Sequence, residues 1–172
     1  MSCRRLLRTV SIQAAVWALL AGAALAAAPE VRDQGKFFSP EALKKADEQI
    51  REIYRKYGQD VLVETYGTVP GEDVEKLKGM DNKARAEFFE KWAKERARER
   101  VINGLYVLII REPRYLYART YYVGSSGRKL LPDDLPPRVR EAIVAEFSKG
   151  RFDDGLQALV RLAEQQLSKS AK

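Results

Sequence analysis

The chain has 172 residues, no histidine, one cysteine and a formal net charge of +7, a length that implies a single domain. Without histidine, Ser-His-Asp and Cys-His catalysis, histidine general bases and the usual zinc sites are excluded, which leaves Asp, Glu, Lys, Tyr and backbone groups as chemical tools. The charge is mild: losing Arg4, Arg5 and Arg8 with a leader takes +7 to +4, and acidic residues are interleaved throughout, so the surface reads as mixed and solvated.

Residues 1–28 read as a cleavable export signal. Arg4, Arg5 and Arg8 form a basic start, Val10 to Leu25 an apolar run, and Ala24-Leu25-Ala26 or Ala26-Ala27-Ala28 a cleavage site. The alternative is an uncleaved anchor, although the run is short for a bilayer and ends in alanines. Cys3 lies inside this segment, so the mature chain carries no disulfide, thiol nucleophile or cysteine metal site. Export places the domain in the periplasm or outside the cell and argues against nucleic acid as a partner. It leaves an envelope protein, a membrane complex or an anionic membrane surface.

The domain is expected over residues 29–167, followed by a polar tail, 168–172. Val31 to Asp33 is a short β-like start. Ser39 as N-cap, Pro40 at the first helical position and Glu41 in the first turn predict a helix whose stripe is Leu43, Ala46, Ile50, Ile53 and Tyr57, stopped at Gly58. Asp60 to Tyr66 reads as a strand, and Gly67 to Met80 as a loop turning at Pro70-Gly71. A second helix runs from Asp81 or Asn82 to about Arg100, with Phe88, Phe89, Trp92, Ala93 and Ala97 on its apolar side and charge pairs such as Glu90 with Lys94 opposite.

After Asn103-Gly104, the uncharged run from Leu105 to Ile110 reads as a strand covered on both faces. Pro113 suits a turn, and Tyr115 to Val123 completes a hairpin. In this second strand Leu116, Ala118, Thr120 and Tyr122 point one way and Tyr115, Tyr117, Arg119, Tyr121 and Val123 the other. The second set is a candidate partner-binding face, with Tyr117, Tyr121 and Arg119 at its centre. Strands are simply rich in aromatics as well. Pro136-Pro137 opens a helix bearing Val139, Ile143 and Phe147, with Gly150 after its end. Asp153 or Asp154 is expected to cap a last helix with the stripe Leu156, Leu159, Val160, Ala163 and Leu167.

Taken together, Val31-x-Asp33 before Phe38-Ser39-Pro40-Glu41, Gly58-Gln59 entering a Val-rich strand, Asn103-Gly104, Val123-Gly124, and Phe147 followed by Gly150-Arg151-Phe152-Asp153-Asp154-Gly155-Leu156 resemble the TPM domain family. The likeness spans Pro29 to Leu167. It implies a three-layer α/β/α sandwich with a small mixed β-sheet and about four helices. It also implies a divalent cation such as calcium near acidic loops in some members, and the weak acid phosphatase activity of plant members.

Calcium or magnesium needs several converging oxygens. The resemblance points to Asp33 after the first strand, to the Asp153-Asp154 pair, and to the hairpin turn. That turn is usually acidic, but reads Arg111-Glu112-Pro113-Arg114 here and keeps only Glu112. The metal candidates are therefore Asp33, Glu112 and Asp154. Each also has a plain structural use: an Asx-turn at Asp33, a helix cap at Asp153 or Asp154, an ion pair with a neighbouring arginine at Glu112. The expected function is an exported accessory or interaction module. Its alternative is a weak metal-assisted phosphomonoester hydrolase in which Arg111 or Arg114 neutralises a phosphate oxygen.

Overall fold

The computed structural model describes residues 30–72, 74–122 and 130–171. The expected leader with its cleavage site, Val123-Gly124 and Lys172 lie outside them. Strand β1 (Val31–Asp33) leads into helix α1 (Pro40–Tyr57), strand β2 (Asp60–Thr68), a short helix α2 (Val74–Gly79) and helix α3 (Asn82–Glu99). Strands β3 (Gly104–Glu112) and β4 (Tyr115–Tyr121) form the hairpin, and helices α4 (Leu135–Phe147) and α5 (Phe152–Ser170) close the chain.

Helix α1 begins and ends as its sequence dictates. The Ser39 side chain accepts from the Ala42 backbone N–H, and Gly58 takes the left-handed conformation at φ 63°, returning its N–H to the Tyr54 carbonyl. Asp81 caps α3 in the same way by accepting from Ala84. Helix α2 falls within the stretch expected to be loop, so the described helices number five rather than about four. Six residues cannot hold a helix alone. Burial of Leu77, its one fully covered side chain, anchors it, a contribution of about 2 kcal/mol. At the other end, α5 extends to Ser170, through most of the expected tail.

The sheet has the order β1-β2-β3-β4, parallel except for β4. Leu105 to Ile110 is buried along its whole length because helices cover both faces. Helices α1, α4 and α5 pack on the face of Val61, Val63, Leu105, Val107 and Ile109, while α3 packs on the face of Leu62, Tyr66, Tyr106 and Leu108. This is the three-layer sandwich. The steps β1 to β2 and β2 to β3 move the same way across the sheet, yet their helices lie on opposite faces, so the two crossovers have opposite hands. One is therefore of the rare hand. The loops leaving β1 and β2 diverge at the carboxyl end of the sheet, the arrangement that opens a crevice there.

Side chains from the flanking helices cover the sheet's two edges. Asp47 of α1 accepts from the Val31 N–H at 2.8 Å, and Arg140 of α4 donates to the Ala118 carbonyl at 3.1 Å.

Candidate functional site

At the carboxyl end of the parallel strands, the loop from β1 to α1 is tied down by carboxylates. Asp33 Oδ1 accepts from the Phe37 N–H at 3.0 Å and from the Thr65 hydroxyl, and Oδ2 accepts from the Phe38 N–H at 3.0 Å. Gly35 donates to the Thr65 carbonyl at 3.1 Å, in a space where a Cβ would lie 2.6 Å from the Phe37 ring and 2.9 Å from the Tyr66 carbonyl carbon. Asp153, from the far end of the sequence, accepts from the Ser39 N–H at 2.9 Å. It does not cap α5, which starts after Arg151 with no side-chain cap, and both Asp153 and Asp154 sit in its first turn. There they favour the positive end of the helix dipole. Because Asp33 satisfies two backbone donors and a hydroxyl with charge-assisted bonds, Asp33→Ala should cost about 2–3 kcal/mol, read as a lower urea midpoint at unchanged slope.

Against this loop lies an open groove of about 690 Å³. Its walls come from the loop, the hairpin turn, the second half of α4 and the start of α5. Phe37 stacks with Phe147 at 6.0 Å between ring centroids, and Phe152 meets both edge-on at 5.8 and 4.8 Å. Gly155 allows this packing, since a Cβ there would lie 2.7 Å from the Phe147 ring. Val144 is 55% exposed and Phe152 37% exposed, two of the few large apolar side chains that face water.

Two arginines are the charged lining residues. Arg111 donates to the carbonyls of Gly35 at 2.9 Å and Lys36 at 3.2 Å, and its guanidinium sits 4.5 Å from the Phe37 ring centroid. Hydrogen bonds and ring together fix its position. Arg114 is exposed and makes no hydrogen bond or ion pair among the described residues. The groove is thus an apolar trough with fixed positive charge at one end.

The residues singled out from sequence lie elsewhere or work differently. Glu112 is exposed and faces Lys78 at 3.5 Å. Asp154 faces Arg151 at 3.5 Å. With Asp33 turned toward its loop, the three carboxylates do not converge, and no group of three or more metal-ligating side chains is gathered among the described residues. As arranged, this donor set does not fit a divalent cation. Tyr117 is buried beneath α3 and its hydroxyl pairs with that of Tyr121 at 2.9 Å. Tyr115 stacks on Phe89 at 4.3 Å, and Arg119 reaches Glu90 at 3.1 Å. Alternation had put these side chains on one face, as observed, and α3 covers that face. Burial, then the bond to Tyr117, raises the Tyr121 phenol above the usual tyrosine value.

Sequence reasoning missed a charge inside that covered layer. Glu64, fully buried in β2, takes a fork from Arg96 at 2.7 and 3.1 Å and a hydrogen bond from the Tyr106 hydroxyl at 2.8 Å, with Arg100 at 3.5 Å. The bond to Glu64 holds the Arg96 guanidinium above its usual value, and burial first, then the Glu64 charge, raises the Tyr106 phenol. The signal was present: an acidic residue in the middle of a Val-rich strand, on the same side as Leu62 and Tyr66.

A family model described as the TPM domain matches residues 31–166. The solution structure of the N-terminal domain of a P. gingivalis protein superposes with a TM-score of 0.60 at 20% identity, covering 81% of this chain and 82% of that one. The BA42 protein of the psychrophilic bacterium Bizionia argentinensis is similar at 21% identity with a TM-score of 0.48, over 78% and 84% of the two chains. No curated protein matches. Among the described residues no helix is long and apolar enough to cross a membrane.

Proposed function

The chain belongs to the TPM domain family, and from that membership we propose that it works as an exported interaction module of the cell envelope, seating a partner in the groove beside the hairpin turn. The export part of this reading rests on the leader pattern of residues 1–28. The binding part rests on one observation: an open apolar trough with exposed Val144 and Phe152, rimmed by Arg111 and Arg114. Contiguous exposed apolar surface bordered by polar groups is how recognition sites present themselves. Asp33 and Asp153, meanwhile, are spent on holding the loop.

A photo-crosslinking residue at position 144, introduced into the full chain in its own cells, should give a discrete envelope adduct. The same residue at Tyr54, exposed on α1, should give none. Equal adducts at both positions, or none at 144, would overturn the reading.

Although the separated carboxylates argue against a metal-assisted acid phosphatase, that alternative predicts turnover of p-nitrophenyl phosphate that requires calcium or magnesium and is lost in Glu112→Gln. That side chain is exposed, so its removal leaves the fold in place. Such turnover would replace the binding reading with the catalytic one.

A further inference from the structure

We infer that the groove recognises the free C-terminus of a partner polypeptide, its arginines taking the α-carboxylate and its apolar trough the last one or two side chains. This deepens the binding-module reading and rests on it.

Charge argues for a single negative group. Arg111 spends one nitrogen on the Gly35 and Lys36 carbonyls and keeps its remaining donors, already positioned, at the mouth of the groove. Arg114 sits across the turn with no partner among the described residues, and no carboxylate lines the space between. A planar carboxylate matches the donor fork of a guanidinium. A phosphate dianion is less well served. The nearest helix start, that of α5, already holds Asp153 and Asp154 in its first turn, which neutralise the dipole a phosphate would use and add repulsion.

Shape argues for a peptide. The trough is walled by Phe37, Leu116, Ile143, Phe147 and Phe152, and 690 Å³ suits one or two bulky side chains. It is open along one side, where Val144 stays 55% exposed. A fatty-acid chain laid there would keep much of its length in water. A peptide would instead turn its apolar side chains inward and its backbone polar groups outward, where water satisfies them. The arrangement sits on rigid pieces: the turn at Arg111 to Arg114 is continuous with β3 and β4, and Asp33 and Arg111 both brace the loop bearing Phe37.

The test uses the purified protein and the pentapeptide Gly-Ser-Ala-Leu-Phe, once with a free C-terminal acid and once as its amide, followed by backbone amide shifts. The acid form should perturb Arg111, Arg114, Val144 and Phe152 saturably and bind at least about tenfold tighter than the amide. Arg114→Gln, a change at an exposed side chain, should remove most of that gap, with Arg111 keeping the rest. Val144→Ser, which removes apolar surface without adding charge, should weaken both forms together.

Equal affinities for acid and amide would overturn carboxylate recognition, and a tenfold gap that survives Arg114→Gln undiminished would overturn its placement on this pair of arginines. Saturable binding of dodecanoate at the same residues with no response to either peptide would overturn it in favour of a lipid. In each of these cases a persisting adduct at position 144 leaves the binding module standing, whereas loss of that adduct removes the module itself.

Discussion

Replacing Glu64 with alanine is expected to cost about 3–5 kcal/mol and to lower the melting temperature by roughly 10–20 °C. The reason is the charge left behind. Glu64 is fully buried and Arg96 only 19% exposed, and the carboxylate is the shared acceptor for Arg96, Arg100 and the Tyr106 hydroxyl. Its removal leaves the Arg96 guanidinium with the exposed Glu99 at 3.2 Å as its ion-pair partner and the phenol without its acceptor, and neither recovers full hydration. Glu64→Leu combined with Arg96→Leu should recover most of the loss, because replacing both members of a buried pair by apolar groups is close to neutral. If the double variant is as unstable as the sum of its parts, the residues are not coupled.

The network also fixes a direction in pH. Folding raises the Tyr106 phenol, chiefly through burial. A group raised in this way gives its full stabilisation below its unfolded value of about 10 and loses it as pH climbs toward the folded value. The layer beneath α3 should therefore hold through neutral and mildly alkaline solution, and Tyr106→Phe should remove its share of the decline above about pH 10.

Gly104→Ala should be at least as damaging in relation to its size, costing more than about 3 kcal/mol. Gly104 opens β3 opposite Asp60, and a Cβ there would sit 2.1 Å from the Asp60 carbonyl oxygen and 2.6 Å from its nitrogen. Neither atom can move aside. The Asp60 N–H donates to the Asn103 carbonyl at 2.9 Å, and the Asp60 carboxylate accepts from the Asn103 N–H at 2.7 Å. This junction sets the register of the longest parallel pair. Gly67→Ala is the control: a Cβ at Gly67 meets nothing within 4 Å, so its effect on the urea midpoint should stay within about 0.5 kcal/mol. Similar losses at both positions would show that backbone entropy, not the close approach, governs the site.

Much of this scaffold could be read from local signals. Ser39 and Gly58 bound α1 because a cap needs only its own turn. The uncharged run from Leu105 to Ile110 could only be a strand covered twice. What the sequence could not supply was the identity of each side chain's neighbour. Alternation put Tyr115, Tyr117 and Tyr121 on one face, yet period two says nothing about whether water or α3 lies over it. Asp33 follows the first strand as expected, but its acceptors are taken by backbone amides four and five residues on, a geometry only the folded loop creates. Helix α2 escaped notice because a single buried leucine carries no periodicity. The groove was hidden for the opposite reason. Phe37, Phe147 and Phe152 each stand in a recognisable local motif, and only the tertiary fold gathers them beside Arg111.

The bonds from Asp47 to the Val31 N–H and from Arg140 to the Ala118 carbonyl have a consequence for how many copies can be crowded together. One flank of the sheet is only three residues long and the other has a carbonyl already engaged by a helix. A second copy meets a very short ladder at one edge and an interrupted one at the other, which disfavours templated stacking into fibrils. Edge-to-edge pairing of copies is thus disfavoured, while the trough beside the hairpin stays open to a different molecule.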